Sequence, residues 1–418
     1  MRILFLTQVL PFPLDAGPKI RAYYVLRHLV ASGHDVCLVS FIRNDDRPEY
    51  VAHLRDLCSA VYTVPIHRSR LQDGRMLLYS LLARRPFLIV RDQVPAMNLK
   101  IREVLASGPP VDAIHADQLW MAPYALFARE QSAPQVPLMV LDQHNAVFQI
   151  PERLADAEGS AWRRKLLRME AKKLACFEKD VCSQIDRVVW VTAEDPQALY
   201  RDERANGNAP APDTVIPIAM ETPTRSGARV ASGSGSKRRI TFMGGLHWPP
   251  NLQGILWFKN EVWPRIKDRL PGAILTVIGR HPAPELAKSD DSIEVTGYLY
   301  DPASYLDESL VFIVPLHAGG GMRVKILEAW ARGLPVVSTT IGSEGIDTRH
   351  LSNIYLADGC EDFAEAVVKV AGNTELADRL VEGGRQTLES TYDWRRAYLA
   401  WNDVYPCASS TSSLTLPV

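Results

Sequence analysis

Charge of one sign is what this 418-residue chain most plainly lacks: 47 lysines and arginines stand against 48 aspartates and glutamates. A nucleic-acid-binding domain normally carries a net basic balance, so that class of partner is not expected. Cysteine is sparse as well. Cys37, Cys58, Cys176, Cys182, Cys360 and Cys407 are scattered without a Cys-x-x-Cys pair, which argues against zinc knuckles and disulfide frameworks and for reduced thiols in a cytoplasmic protein. No apolar run approaches the roughly 20 residues that cross a bilayer. The opening MRILFLTQVLPFPLD breaks at Pro11 and Pro13 and has no small-residue cleavage site; it reads as a buried first strand rather than a signal peptide. That strand does not lead into a Gly-x-Gly-x-x-Gly turn, which weighs against a dinucleotide oxidoreductase. Asp-x-Asp metal motifs and short internal repeats are also missing.

What is present is alternation. Strands are predicted over Ile3–Val9, Asp35–Phe41, Ala113–Ala116, Leu138–Asp142, Arg187–Thr192 and Thr214–Pro217. Helical spacing runs through Lys19–Ala31, ended by Gly33, and through Ala161–Gln184. Residues 223–238, PTRSGARVASGSGSKR, show no apolar period and read as a linker. The alternation then restarts: strands over Ile240–Met243, Ala273–Ile278, Leu310–Pro315 and Pro335–Thr339, and helices over Asn251–Lys267, Met322–Arg332, Glu361–Ala371 and Glu375–Glu389. Such a pattern builds mostly parallel α/β sheets covered on both faces.

The most informative segment starts at Val311: VFIVPLHAGGGMRVKILEAWARGLPVVSTTIGSEG. A buried strand leads into Gly319-Gly320-Gly321 and then a helix. Glycines let backbone N–H groups approach an anion, and a helix N-terminus adds unpaired donors. Arg323 and Lys325 bring positive charge. Glu328 lies three residues after Lys325, on the same face, where a carboxylate can accept from two ribose hydroxyls. Ile326, Leu327, Trp330, Ala331 and Leu334 form the buried stripe. The plain alternative is a surface ladder of Lys325, Glu328 and Arg332.

GGGMRVKILEAWARGLPVVST resembles the donor-binding segment of family 4 retaining glycosyltransferases, which adopt the GT-B fold. PFPLDAGPKIRAYYVLRHLVASGHDV resembles that family's opening strand, glycine loop and first helix. DQHN at Asp142–Asn145 and FMGGLHWPPN at Phe242–Asn251 resemble its strand-end histidine and the first turn of its second domain. The likeness covers residues 1 to about 405. It implies an α/β chain of two Rossmann-like domains facing each other across a cleft. Their expected bounds are an acceptor-side domain over 1–222, the linker, a nucleotide-sugar-binding domain over 239–390, a helix over 391–407 packing back on the first domain, and a disordered tail over 408–418.

The resemblance implies transfer of a sugar from a nucleoside-diphosphate sugar to an acceptor hydroxyl with retention of configuration, without a metal or other cofactor, in glycan or polysaccharide biosynthesis. Donor contacts fall to Gly17, Gly244, Gly245, His317, Gly319, Gly320, Gly321, Met322 and Glu328, and the catalytic groups to His144, Arg323 and Lys325. Asp15 and Lys19 would meet the acceptor, whether glycan, lipid-linked or small molecule, although turn chemistry explains Asp15 equally well. Trp120 and Arg21 are further candidates for the acceptor side. A histidine at the end of a strand can also serve only to bind backbone, and that reading of His144 stays open. The sequence departs from the family at Gly320, where the first glutamate of a Glu-x7-Glu pair is expected, and in the turn GGLHWPPN, where His247 and Asn251 stand in place of an Arg…Lys pair. A nucleotide-sugar epimerase, a phosphorylase and a non-catalytic nucleotide-sugar-binding protein remain the rival readings. The basic segment Trp162–Lys173 is either a solvated helix face or a peripheral contact with the inner face of the membrane.

Overall fold

Ile3, Leu4, Phe5 and Leu6 are all fully buried, as in a parallel strand covered on both faces. In the computed structural model, which describes residues 1–206, 214–222, 238–287 and 291–406, these residues lie in an interior strand of the first of two parallel sheets. The first sheet comprises β1 (Arg2–Thr7), β2 (Asp35–Ile42), β3 (Ala60–Pro65), β4 (Ala113–Asp117), β5 (Leu138–Gln143), β6 (Arg187–Trp190) and β7 (Thr214–Val215). The second comprises β8 (Arg238–Met243), β9 (Ala273–Ile278), β10 (Ile293–Gly297), β11 (Ser309–Val314), β12 (Val336–Ser338) and β13 (Tyr355–Leu356). Their orders are β3-β2-β1-β4-β5-β6-β7 and β10-β9-β8-β11-β12-β13. Both therefore reverse direction of winding beside their first strand, between β1 and β4 and between β8 and β11. Ligands of such sheets bind beyond the carboxyl ends of the strands at that point.

Several boundaries differ from the sequence reading. The first strand stops at Thr7, because Gln8 turns aside to donate to Asp92 at 2.5 Å. The helix expected from Met322 begins at Val324, with Arg323 as its cap. The helix expected from Asn251 begins at Pro249, where a missing N–H costs nothing, and continues through a π turn over Phe258–Val262 to Arg269. Arg238, expected in the linker, pairs with Ala273 as the first residue of β8. The rest of that linker and the tail over 408–418 lie outside the described residues.

The chain crosses back at its end. Met220 N–H donates to Tyr392 O and Trp394 N–H to Met220 O, at 3.0 and 3.1 Å. Short helices over Trp394–Ala397 and Trp401–Val404 then lie against the first sheet's domain, where the Tyr405 hydroxyl meets His115 Nδ1 at 2.7 Å. One apolar core accordingly runs from one side of the first sheet through these C-terminal side chains into the second domain. The other side of the first sheet has a core of its own.

Candidate active site

Two glycine turns meet at the carboxyl ends of β8 and β11. After β8 come Gly244 and Gly245. A Cβ on Gly244 would lie 2.8 Å from Lys325 Nζ and one on Gly245 2.7 Å from the His247 ring. After β11 comes the triple glycine, in which Gly319 and Gly321 have φ of +125° and +69°. Lys325 joins the two turns: its ammonium donates to Asn251 Oδ1 at 2.9 Å and lies 4.6 Å from the centre of the Phe242 ring. Asn251 in turn donates to Gly245 O at 2.9 Å.

Lys325 and Glu328 are half-buried. Burial pushes the Lys325 pKa down to about 7, aided by Arg323 and opposed by Glu328. Burial pushes Glu328 up to about 7, against the pull of Lys325 and Arg332. The Glu328 carboxylate makes no hydrogen bond to any described residue. Arg323, expected to face an anion, instead folds over its own loop. It donates to Gly320 O at 2.7 Å and to Gly321 O and Ile341 O at 3.3 Å. Met322 is buried, its sulfur accepting from Ile218 N–H at 3.0 Å. His317 is exposed and packs edge-on against Trp257 at 4.4 Å.

The first domain closes over these turns. Gly17 opens the Gly17–Ala31 helix, and a Cβ there would lie 3.2 Å from Val324 Cγ2. A Cβ on Gly321 would lie 2.6 Å from the carbonyl oxygen of His144. Arg153 donates to Gly319 O and pairs with Glu344. At the rim, Asp15 holds Lys19 at 3.0 Å but also accepts from Arg280 at 2.8 Å and Tyr298 at 3.1 Å in the second domain. The two acceptor candidates thus belong to an interdomain tie.

Behind His144 lies a buried ionic network. His144 Nε2 meets Asp117 at 2.9 Å and lies 3.8 Å from Asp142. Its Nδ1 is buried without a hydrogen-bond partner among the described residues. Burial alone would lower the His144 pKa, but the ion pair with Asp117 overrides it and holds the ring charged up to about 9. Asp142 accepts two hydrogen bonds from Arg21, whose third nitrogen donates to Pro217 O at 2.7 Å. Burial opposes ionisation of Asp142, and Arg21 overcomes it, holding the carboxyl well below its usual range. His115, stacked on Phe5 at 4.0 Å, is driven to about 3 by burial and stays neutral. His115, Asp117 and Asp142 bring possible ligand atoms within 4.8 Å of one another, yet a cation there has to displace a guanidinium.

This corrects the placing of Arg21 on the acceptor side: it is fully buried, flanked by Tyr398 and Trp401 at 5.2 and 5.1 Å. Sequence reasoning also missed Asn145, which lies beside the glycine loop, and the cross-cleft pairs of Arg153 and Arg280. The departure at Gly320 now has a neighbour, since a Cβ there would sit 3.8 Å from the Asn145 side chain.

Comparison with known proteins bears on this arrangement. The family described as glycosyl transferase 4-like domain matches residues 16–218, and that described as glycosyl transferases group 1 matches residues 237–373. An uncharacterized 44.6 kDa protein in the cps region of Klebsiella pneumoniae is 22% identical over 407 residues, covering 95% of this chain and 98% of its own. Among solved structures, HepE of Anabaena in complex with UDP and glucose superposes with a TM-score of 0.67 at 12% identity, covering 97% of this chain and 99% of that one. Sucrose-phosphate synthase from Thermosynechococcus elongatus gives 0.64 at 15% identity, with 97% and 98% covered. At these identities the solved structures establish the fold, two Rossmann-like domains in the GT-B arrangement.

Proposed function

We propose that this chain, a glycosyltransferase of the GT-B fold assembled from a 4-like and a group 1 domain, moves a hexosyl unit from a nucleoside-diphosphate sugar to an acceptor hydroxyl with retention of configuration. One observation carries the reading. At the switch point of the second sheet the Lys325 amine, whose protonated form a bound anion would favour, lies against a glycine turn, and one helical turn on stands Glu328, a carboxyl group with no hydrogen bond to the described protein. A diphosphate fits the first and a ribose diol the second.

The reaction follows from where charge develops. As the bond between the anomeric carbon and the diphosphate oxygen breaks, the sugar gains oxocarbenium character and the leaving group gains negative charge. Lys325 and the N–H groups of Gly319–Gly321 are fixed donors for that charge and need no reorganisation during the step. The acceptor hydroxyl attacks on the face the leaving group vacates, and its proton passes to the departing phosphate oxygen. His144 is held charged and its Nδ1–H has no acceptor among the described residues; this reading gives it a hydroxyl of the donor sugar, which it would orient. Asn145, whose side chain lies 3.8 Å from where a Cβ on Gly320 would sit, is the polar group this reading assigns to the sugar in place of the family's first glutamate. Arg323 holds the glycine loop in shape, and Gly244, Gly245 and Gly17 leave room for the side chains of Lys325, Asn251, His247 and Val324 to come close. No step calls for a metal, so transfer is expected to persist in EDTA.

UDP is the first nucleotide to test, since it is the one bound in HepE. The cps-region relative supports a place in polysaccharide assembly, with the glycan acceptor entering past Asp15 and Lys19. The test is to incubate the protein with UDP-, GDP-, dTDP- and CDP-sugars and measure nucleoside diphosphate release, then read the anomeric configuration of the product by NMR. Release from one donor class with a retained anomer is expected. Release from none, or an inverted product, would end the reading.

A further inference from the structure

The helix Arg70–Leu82 is amphipathic the wrong way round. Its inner side carries Ser80, fully buried. Its outer side carries Leu71, Leu78 and Leu82, exposed by 84%, 60% and 77%. These three are spaced by seven and four residues, so they form one line along the helix. Leu77, Leu81 and Tyr79 flank them and are exposed as well. A monomeric soluble protein rarely leaves a contiguous patch of this kind uncovered.

A second apolar line continues the first. Along the Ala161–Gln184 helix, Trp162, Leu166 and Met169 share a face with Lys173, and all three apolar side chains are exposed. Lys173 donates to Ser80 Oγ at 2.8 Å and to Arg85 O at 3.1 Å, so this line leads to the end of the leucine helix. The surroundings are basic. Residues 70–85 and 161–173 carry ten lysines and arginines against two acidic residues, Asp73 and Glu170, in a chain otherwise balanced in charge. Arg75 lies within the leucine line, and Arg163, Lys165 and Lys172 lie exposed beside the tryptophan line.

We propose that these two helices form a membrane-docking surface that seats the first domain on an anionic lipid bilayer. Leucines and Trp162 enter the headgroup boundary while arginines and lysines meet lipid phosphates, the arrangement of an interfacial helix rather than a spanning one. None of the described helices is long and apolar enough to cross a membrane. Charge complementarity selects this occupant over a second copy of the chain, because two copies would bring ten like charges together from each side.

The test is vesicle co-sedimentation of the full chain. Binding to vesicles of phosphatidylcholine with phosphatidylglycerol is expected, weakening with added sodium chloride, with little binding to phosphatidylcholine alone. The Leu71→Ser/Leu78→Ser/Leu82→Ser variant should bind at least about tenfold more weakly, and Arg163→Gln/Lys165→Gln/Lys172→Gln likewise about tenfold. Both sets are exposed, so an unchanged melting temperature and nucleotide affinity would show that folding and the donor site are untouched. Absence of binding to the anionic vesicles at low salt, or binding that neither variant weakens, would overturn the proposal. So would self-association of the wild type that the leucine variant abolishes without any vesicle binding.

Discussion

Both oxygens of Asp142 are held by the guanidinium of Arg21, at 2.9 and 3.0 Å, in a pair with no exposure to solvent. The pair ties the first helix to the end of β5 and, through the rings of Tyr398 and Trp401, to the C-terminal segment. Removing one member of a buried pair strands the other charge, at a cost of about 3–5 kcal/mol. Arg21→Met is therefore expected to destabilise the fold by that amount in urea unfolding, with nucleotide affinity retained in the fraction that remains folded.

Lys325 and Glu328 are expected to separate by kinetics. A fixed donor to developing charge is worth about 10²–10³-fold in kcat, so Lys325→Met should lower kcat more than it raises KM. Glu328→Ala removes charge-assisted hydrogen bonds to a group that does not react, worth about 1.5–3 kcal/mol, and should act mainly on KM for the donor. Initial rates at varied donor concentration distinguish the two.

The charge on His144 makes stability depend on pH in a definite sense. Its folded pKa, about 9, lies above the unfolded value of about 6.5. The folded state thus binds the proton more tightly, so the contribution is complete below about pH 6.5 and is lost as pH rises towards 9. Unfolding free energy should fall across that window, and His144→Asn should remove that part of the slope.

Gly320 and Gly321 are adjacent but not equivalent. At Gly320 an added Cβ meets nothing closer than 3.8 Å. At Gly321 it meets His144 O at 2.6 Å and Asn145 Cβ at 2.9 Å, with φ at +69°. Gly321→Ala should cost about 1–2 kcal/mol for the backbone alone and force the domains apart, whereas Gly320→Ala should leave the melting temperature nearly unchanged.

These residues also show what the sequence could and could not reveal. The glycine loop was legible because every part of it is local: a buried strand, three glycines, two cations and an apolar stripe within 35 residues. The parallel sheets were legible from alternation, although the edge strands β3, β10 and β13 were not, being short or only half-buried. Arg21 was misread because its partner lies 121 residues away. The one local signal was its place on the same helical face as Tyr24, Val25 and His28, all buried. The tie from Asp15 to Arg280 spans 265 residues and exists only once the domains face each other.

A nucleoside-diphosphate site at Glu328 can be examined by thermal unfolding of wild type and Glu328→Ala with UDP, GDP, dTDP and CDP in turn. A ligand at about one hundred times its dissociation constant stabilises by about 2.7 kcal/mol. One nucleotide should raise the melting temperature of the wild type, and Glu328→Ala should lose most of the shift. No shift with any nucleotide, or an equal shift in both proteins, would contradict it.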